Sequence, residues 1–187
     1  EVRCVRWGHG FGRWYKDLTD DEQLLSAAQT LAVEISDFRR EPSAPPVFII
    51  ARSGGTAVAV YALELLEPNT IERVILLSSA LSPAYELTSA LRAVRRDVIS
   101  FWSPHDDLVL GIGTRVFGTP DNVRTRAAGN VGFDVPDAAT PDVALQYRKL
   151  QQVPWSKQMR KSGNWGTHLG TGSPKFFRDY IAPLLAI

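Results

Sequence analysis

The sequence predicts an α/β fold in three layers (α/β/α), with a mostly parallel sheet between layers of helices. From Val2 to Trp102, short apolar runs rich in β-branched and aromatic residues alternate with segments of helical periodicity. The apolar runs lack a regular polar alternation, which is typical of strands buried on both faces of a parallel sheet. A length of 187 residues favours one domain with a sizeable core, so residues 1–187 are predicted to form a single unit.

The elements of the first third of the chain follow from local patterns. Val2 to Trp7 is predicted to be an opening strand, and Gly8 to Gly12 a sharply turning loop with three glycines. A capping box, threonine followed three residues later by glutamate, predicts a helix over Thr19 to Arg40. Val47 to Ile50 lies between prolines and a glycine-containing turn, which indicates a buried strand. The next helix has one apolar face, made of Val58, Tyr61, Ala62 and Leu65.

The alternation continues through the middle of the chain. Ile71 to Ser79 and Asp97 to Trp102 are apolar runs of strand length, so both are predicted to be buried strands. Between them, Ser82-Pro83 is expected to start a helix, because serine caps helices and proline suits the first helical position. That helix is expected to end in a turn that carries Arg92, Arg95 and Arg96.

The last third is less regular. Residues 108–146 contain glycines among Thr, Asn, Asp and Pro, and we expect this loop-rich segment to cover the functional site. Val143 to Leu150 is predicted to be a short helix, and Gln151 to Trp155 a last strand. Ser173-Pro174 predicts the start of a terminal helix.

Composition argues against several classes of function. Lys plus Arg total 21 against 20 acidic residues, a net charge of +1, so no general attraction to nucleic acid or membranes is expected. No apolar run reaches membrane-spanning length. Cys4 is the single cysteine, so no intrachain disulfide or cysteine metal cluster can form. This fits a reducing compartment and makes the cytoplasm the default expectation, although the compartment and the oligomeric state stay open.

The turn from Ala51 to Gly55 has the outline of a nucleophile elbow, in which Ser53 occupies a strained apex between strand and helix. The residues two before and two after the serine must be small, and they are Ala51 and Gly55. The N–H of Gly54 would open the helix, where it can stabilise an oxyanion. The plainer interpretation is a helix-capping serine in a doubly wound protein. A phosphate loop is disfavoured because the turn lacks its lysine and glycine spacing.

In these residues the sequence resembles the α/β-hydrolase superfamily, although Ala51 stands where its Gly-x-Ser-x-Gly pattern begins. The family order is serine, acid, histidine. Asp106 follows a strand and precedes a β-branched residue by three positions, and His168 ends a Gly-x-His turn before the last helix. The resemblance implies Ser53 as nucleophile, His168 as base and Asp106 as the acid, with Asp107 as the alternative acid.

The other histidines and the second oxyanion donor are less defined. The Gly-His-Gly around His9 resembles a segment that is usually structural in the family, and His105 is expected at the surface or behind the acid. The family takes its second oxyanion donor from an earlier loop. We therefore expect either further strands before Glu1, with the chain a fragment or processed form, or a donor from Gly10 to Arg13.

The resulting expectation is a serine hydrolase that cleaves a small-molecule carboxylic ester through an acyl-enzyme, without a cofactor. Gly54 would supply half of the oxyanion hole, and Arg52 beside the serine would face the substrate. Two alternatives stay open: a catalytically silent binding protein on the same scaffold, and an acyltransferase with the same triad.

Overall fold

The computed structural model describes residues 1–5, 7, 21–106, 119–137 and 140–186. Its centre is a sheet of four parallel strands whose spatial order equals their order in the chain. The strands are β1 (Phe48–Arg52), β2 (Ile71–Leu77), β3 (Val94–Trp102) and β4 (Leu150–Pro154). The predicted α/β class with a parallel sheet is therefore confirmed.

The helices of the described residues connect or follow these strands. Helix α1 precedes the sheet, α2 follows β1, α3 precedes β3, α4 and α5 lie between β3 and β4, and α6 follows β4. Their bounds are α1 (Asp21–Arg39), α2 (Gly55–Glu64), α3 (Thr88–Ala93), α4 (Ala128–Val131), α5 (Pro141–Tyr147) and α6 (Pro174–Phe176). A π-helical turn (Phe177–Ile181) and a 3₁₀ turn (Ala182–Leu185) continue α6.

Side chains of β2 alternate between two apolar clusters, which shows that the sheet is covered on both faces. Val74 and Leu76 pack in a cluster with residues of α1, α2, α3 and α5. Ile75 and Leu77 pack instead with Phe176 and Ile181 of the C-terminal helical segment. All seven residues of β2 are buried, as expected for an interior strand of a parallel sheet.

The strands are in register at their carboxyl ends. Arg52 of β1 lies beside Leu77, Leu77 beside Phe101, and Phe101 beside Val153 of β4. The loops that leave the four strands therefore start from one edge of the sheet. In parallel α/β sheets this edge is where ligands bind.

Some predicted elements are wrong. Val2 to Val5 is exposed and has no regular structure, so no opening strand forms there. The third helix begins at Thr88 rather than at Ser82-Pro83, and it ends at Ala93. Arg95 and Arg96 belong to β3, which begins three residues earlier than predicted because Val94 pairs with Ile71 of β2. No helix of the described ranges is long and apolar enough to cross a membrane.

Candidate active site

The turn after β1 has the backbone of the predicted elbow. Ser53 has φ +53°, in the left-handed region, which costs a residue with a side chain about 1–2 kcal/mol. Its N–H donates to the carbonyl oxygen of Leu77 at 3.0 Å, so the ladder to β2 continues through the serine. Helix α2 begins two residues later, at Gly55. As a residue, Ser53 is half-buried.

The small residues around Ser53 are explained by close contacts. Ala51 is buried in the main apolar cluster. A Cβ atom on Gly55 would lie 3.3 Å from Nε1 of Trp7, so the indole ring packs directly against this glycine. Gln23 of α1 donates to the carbonyl oxygen of Trp7. The start of α2 is therefore packed against a residue from the start of the chain.

Thr56 fixes the elbow to the end of β2, a role that the sequence analysis missed. Its hydroxyl donates to the carbonyl oxygen of Ser53 at 2.6 Å and accepts the N–H of Ala80 at 3.1 Å. The hydroxyl oxygen of Ser79 lies 3.1 Å from the hydroxyl oxygen of Thr56. A threonine in the first turn of a helix is a common sequence feature, so no signal singled it out.

Gly54 is the residue between the serine and the helix. It is buried, with φ −53°, and caps α2 without a side-chain hydrogen bond. Its N–H makes no hydrogen bond with another described residue. Together with the partial positive charge at the N-terminus of a ten-residue helix, it can bind a developing negative charge.

Asp106 and His168, which are separated by 62 residues, form a hydrogen-bonded pair with 3.0 Å between Nδ1 and Oδ2. The Asp106 side chain is 1% exposed and the His168 side chain 14%. A carboxylate at Nδ1 favours the tautomer with its proton there and leaves Nε2 free to accept a proton. The alternative acid, Asp107, lies outside the described residues, as do His9 and Gly10 to Arg13.

The loop that carries His168 is packed tightly against the ends of β3 and β4. Gly166 has φ +84°, and a Cβ atom there would lie 2.9 Å from the hydroxyl of Ser103 and 3.1 Å from the ring of Trp155. Asn164, which is buried, accepts the N–H of Gly166 at 2.9 Å. Glycine at position 166 is therefore required both by its backbone angle and by the lack of space.

His105, beside the acid, contacts the aromatic part of this loop. Its ring lies edge-to-face on Trp155, with 4.8 Å between ring centroids. Trp155 in turn donates its indole N–H to the carbonyl oxygen of Asn164 at 2.9 Å. His105 itself is exposed, which is the surface position that the sequence analysis gave as one of two options.

Arg52 makes contacts that the sequence did not indicate. Its guanidinium group donates to the carbonyl oxygen of His168 at 2.6 Å and to the hydroxyl of Thr171 at 3.1 Å. Burial lowers the pKa of Arg52, and the negative charge of Asp106 acts in the opposite direction. Contact of Arg52 with a substrate stays a prediction.

The structure thus brings the predicted acid and base together and sets the predicted nucleophile at the same edge of the sheet. Within the described residues, no hydrogen bond joins the Ser53 hydroxyl to the His168 ring. Such catalytic hydrogen bonds are often formed only when substrate is bound. The described residues also contain no group of three or more His, Cys, Asp or Glu side chains arranged to hold a metal ion.

Comparison of the chain with protein-family models, with curated proteins and with solved structures finds no match. Any functional assignment therefore depends on the residues of this site.

Proposed function

We propose that the protein is a serine hydrolase of the α/β-hydrolase type that cleaves a carboxylic ester. The observation that carries the proposal is the 3.0 Å hydrogen bond between His168 and the buried Asp106, at the sheet edge where Ser53 also lies. A carboxylate–imidazole pair beside a serine on a strained strand-to-helix turn is the arrangement that activates a hydroxyl for acyl transfer.

Each residue has a defined part in the proposed reaction. The Ser53 oxygen attacks the ester carbonyl carbon while Nε2 of His168 takes the hydroxyl proton. The Gly54 N–H stabilises the negative charge that develops on the carbonyl oxygen. The tetrahedral intermediate collapses, the ester C–O bond breaks, and the alcohol leaves with the proton from His168. Water then attacks the acyl-serine by the same route and releases the acid. Asp106 holds the imidazole tautomer and stabilises the imidazolium.

Two exposed apolar side chains in the histidine loop support an ester as the substrate. Trp165 is 61% exposed and Leu169 is 79% exposed, and they lie three residues before and one residue after His168. Exposed apolar side chains that flank the candidate base in the sequence suit a substrate with an apolar group.

The test is labelling with a fluorophosphonate probe, followed by peptide mapping, on the wild type and on Ser53→Ala, His168→Ala and His105→Ala. We expect stoichiometric label on Ser53 in the wild type and in His105→Ala, and none in the other two variants. His105→Ala is the matched control because it removes a neighbouring histidine that packs on Trp155 and has no assigned proton-transfer step. Absence of label on the folded wild type would contradict the proposal and favour a silent binding protein.

A screen of p-nitrophenyl esters then measures turnover. Asp106→Asn should lower kcat by about 10³–10⁴-fold, because the amide favours the wrong imidazole tautomer. Product analysis with an added alcohol or thiol acceptor separates hydrolysis from acyl transfer. Exclusive transfer to the acceptor would replace the hydrolase with an acyltransferase on the same residues.

A further inference from the structure

Arg52 connects the strand that carries the candidate nucleophile to the loop that carries the candidate base. It is the last residue of β1 and directly precedes Ser53. Its guanidinium group reaches a loop more than a hundred residues away in the chain, where it donates to the main-chain oxygen of His168. The backbone of the histidine is therefore bonded to the residue next to the serine.

The contact uses the forked shape of the guanidinium group. Nη2 donates to the carbonyl oxygen of His168 at 2.6 Å, and Nε donates to the Thr171 hydroxyl at 3.1 Å. The Thr171 hydroxyl also lies 3.4 Å from the same carbonyl oxygen. A Cβ atom on Gly172 would lie 3.9 Å from the guanidinium carbon, so this glycine lies next to the group. A lysine ammonium has no such fork and would not bridge two acceptors in this geometry.

Asp106 also interacts electrostatically with Arg52. Burial lowers the pKa of the guanidinium group, and the negative charge of the carboxylate acts in the opposite direction. Arginine keeps its proton in proteins, so Arg52 stays positively charged beside this loop.

We propose that Arg52 is a positioning residue, which sets the place of the His168 imidazole relative to Ser53 by bonding the histidine loop to the nucleophile strand. The inference rests on the proposed function, because it needs Ser53 and His168 to act together. It gives Arg52 a different part from the substrate contact expected from the sequence. Misplacement of a catalytic group by about 1 Å can cost about 100-fold in rate.

The experiment compares Arg52→Lys and Arg52→Met with the wild type. It measures the second-order rate of fluorophosphonate labelling at Ser53, and kcat and KM for the best p-nitrophenyl ester. We expect labelling and kcat to fall by about 10–100-fold in both variants, with KM changed by less than about 3-fold. Lysine keeps the positive charge but lacks the forked shape of the guanidinium group, so Arg52→Lys should recover little of the rate that Arg52→Met loses.

The outcomes are distinguishable from failure of the proposed function. Absence of label on Ser53 in the wild type would refute both the proposed function and this inference. If the wild type is labelled and Arg52→Met is labelled equally fast, the proposed function stands and the positioning role is overturned. The same conclusion holds if Arg52→Met has a raised KM and an unchanged kcat. If Arg52→Met does not fold by circular dichroism, Thr171→Val is decisive, because it removes one acceptor of the fork and leaves the charge. It should slow labelling by about 3–10-fold, and labelling at the wild-type rate would refute the inference.

Discussion

Replacement of Ser53 by glycine should make the protein more stable than replacement by alanine. The reason is the backbone angle of the serine, φ +53°, which lies in the left-handed region. Both substitutions remove the hydroxyl, so they differ only in whether a Cβ atom must sit in this conformation. In ordinary backbone the order is reversed, because glycine loses more conformational freedom on folding than alanine does.

The size of the difference follows from two opposing costs. A Cβ atom in the left-handed region costs about 1–2 kcal/mol, and the greater entropy loss of glycine costs about 0.5–1 kcal/mol. Ser53→Gly should therefore exceed Ser53→Ala by about 0.5–1 kcal/mol in free energy of unfolding. For a chain of 187 residues this corresponds to a Tm difference of about 1–4 °C.

The assay is thermal unfolding followed by circular dichroism, with Ser26 as the matched control. Ser26 is exposed in the middle of the long helix α1, so Ser26→Gly should unfold about 2–4 °C below Ser26→Ala. Ser78, with φ +50°, should behave like Ser53. A Ser53→Gly variant that unfolds below Ser53→Ala would show that the serine is not strained, and the elbow geometry would have to be abandoned.

Two further predictions concern buried polar groups. Asp97→Asn removes the charge that pairs with Arg73, whose side chain is 8% exposed, and should lower the free energy of unfolding in urea by about 3 kcal/mol. Asp142→Asn removes one partner of an exposed ion pair with Arg92 and should leave the urea midpoint nearly unchanged. An equal loss of stability in Asp97→Asn and Asp142→Asn would refute this distinction between buried and exposed ion pairs. Thr56→Val should cost about 2–4 kcal/mol in the same assay and slow fluorophosphonate labelling, whereas Thr56→Ser should preserve both.

The centre of the sheet could be predicted from the sequence because β2 is buried on both faces. Ile71 to Leu77 is apolar at most positions, which is the pattern of an interior strand, whereas β1 and β4 are partly exposed. The start of β3 could not be predicted in the same way. Arg95 and Arg96 read locally as the end of a helix, but the ladder to β2 begins at Val94, and Arg95 pairs with the buried Glu72. Pairing with a distant strand overrode the local signal.

The chemistry-bearing residues of the candidate site were predictable, and the residues that hold them were not. Ser53 and His168 stand in turns whose small residues mark them locally. Arg52 and Thr56 carry no local mark, because their partners lie 116 and 24 residues away. A hydrogen bond to a main-chain oxygen imposes no residue type on the acceptor, so the sequence contains no complementary signal for Arg52.

Comparison of two serines shows why the elbow, and not left-handed backbone alone, makes a candidate nucleophile. Ser53 and Ser78 follow adjacent strands, both have positive φ, and the N–H of each continues the ladder to the next strand. Ser78 is buried, its hydroxyl lies 3.4 Å from that of Thr171, and no helix begins beside it. Ser53 is half-buried and precedes Gly54 and the N-terminus of α2. The same strain therefore supports a structural turn at one strand end. At the other, the turn precedes the N-terminus of α2, and this difference makes Ser53, and not Ser78, the candidate nucleophile.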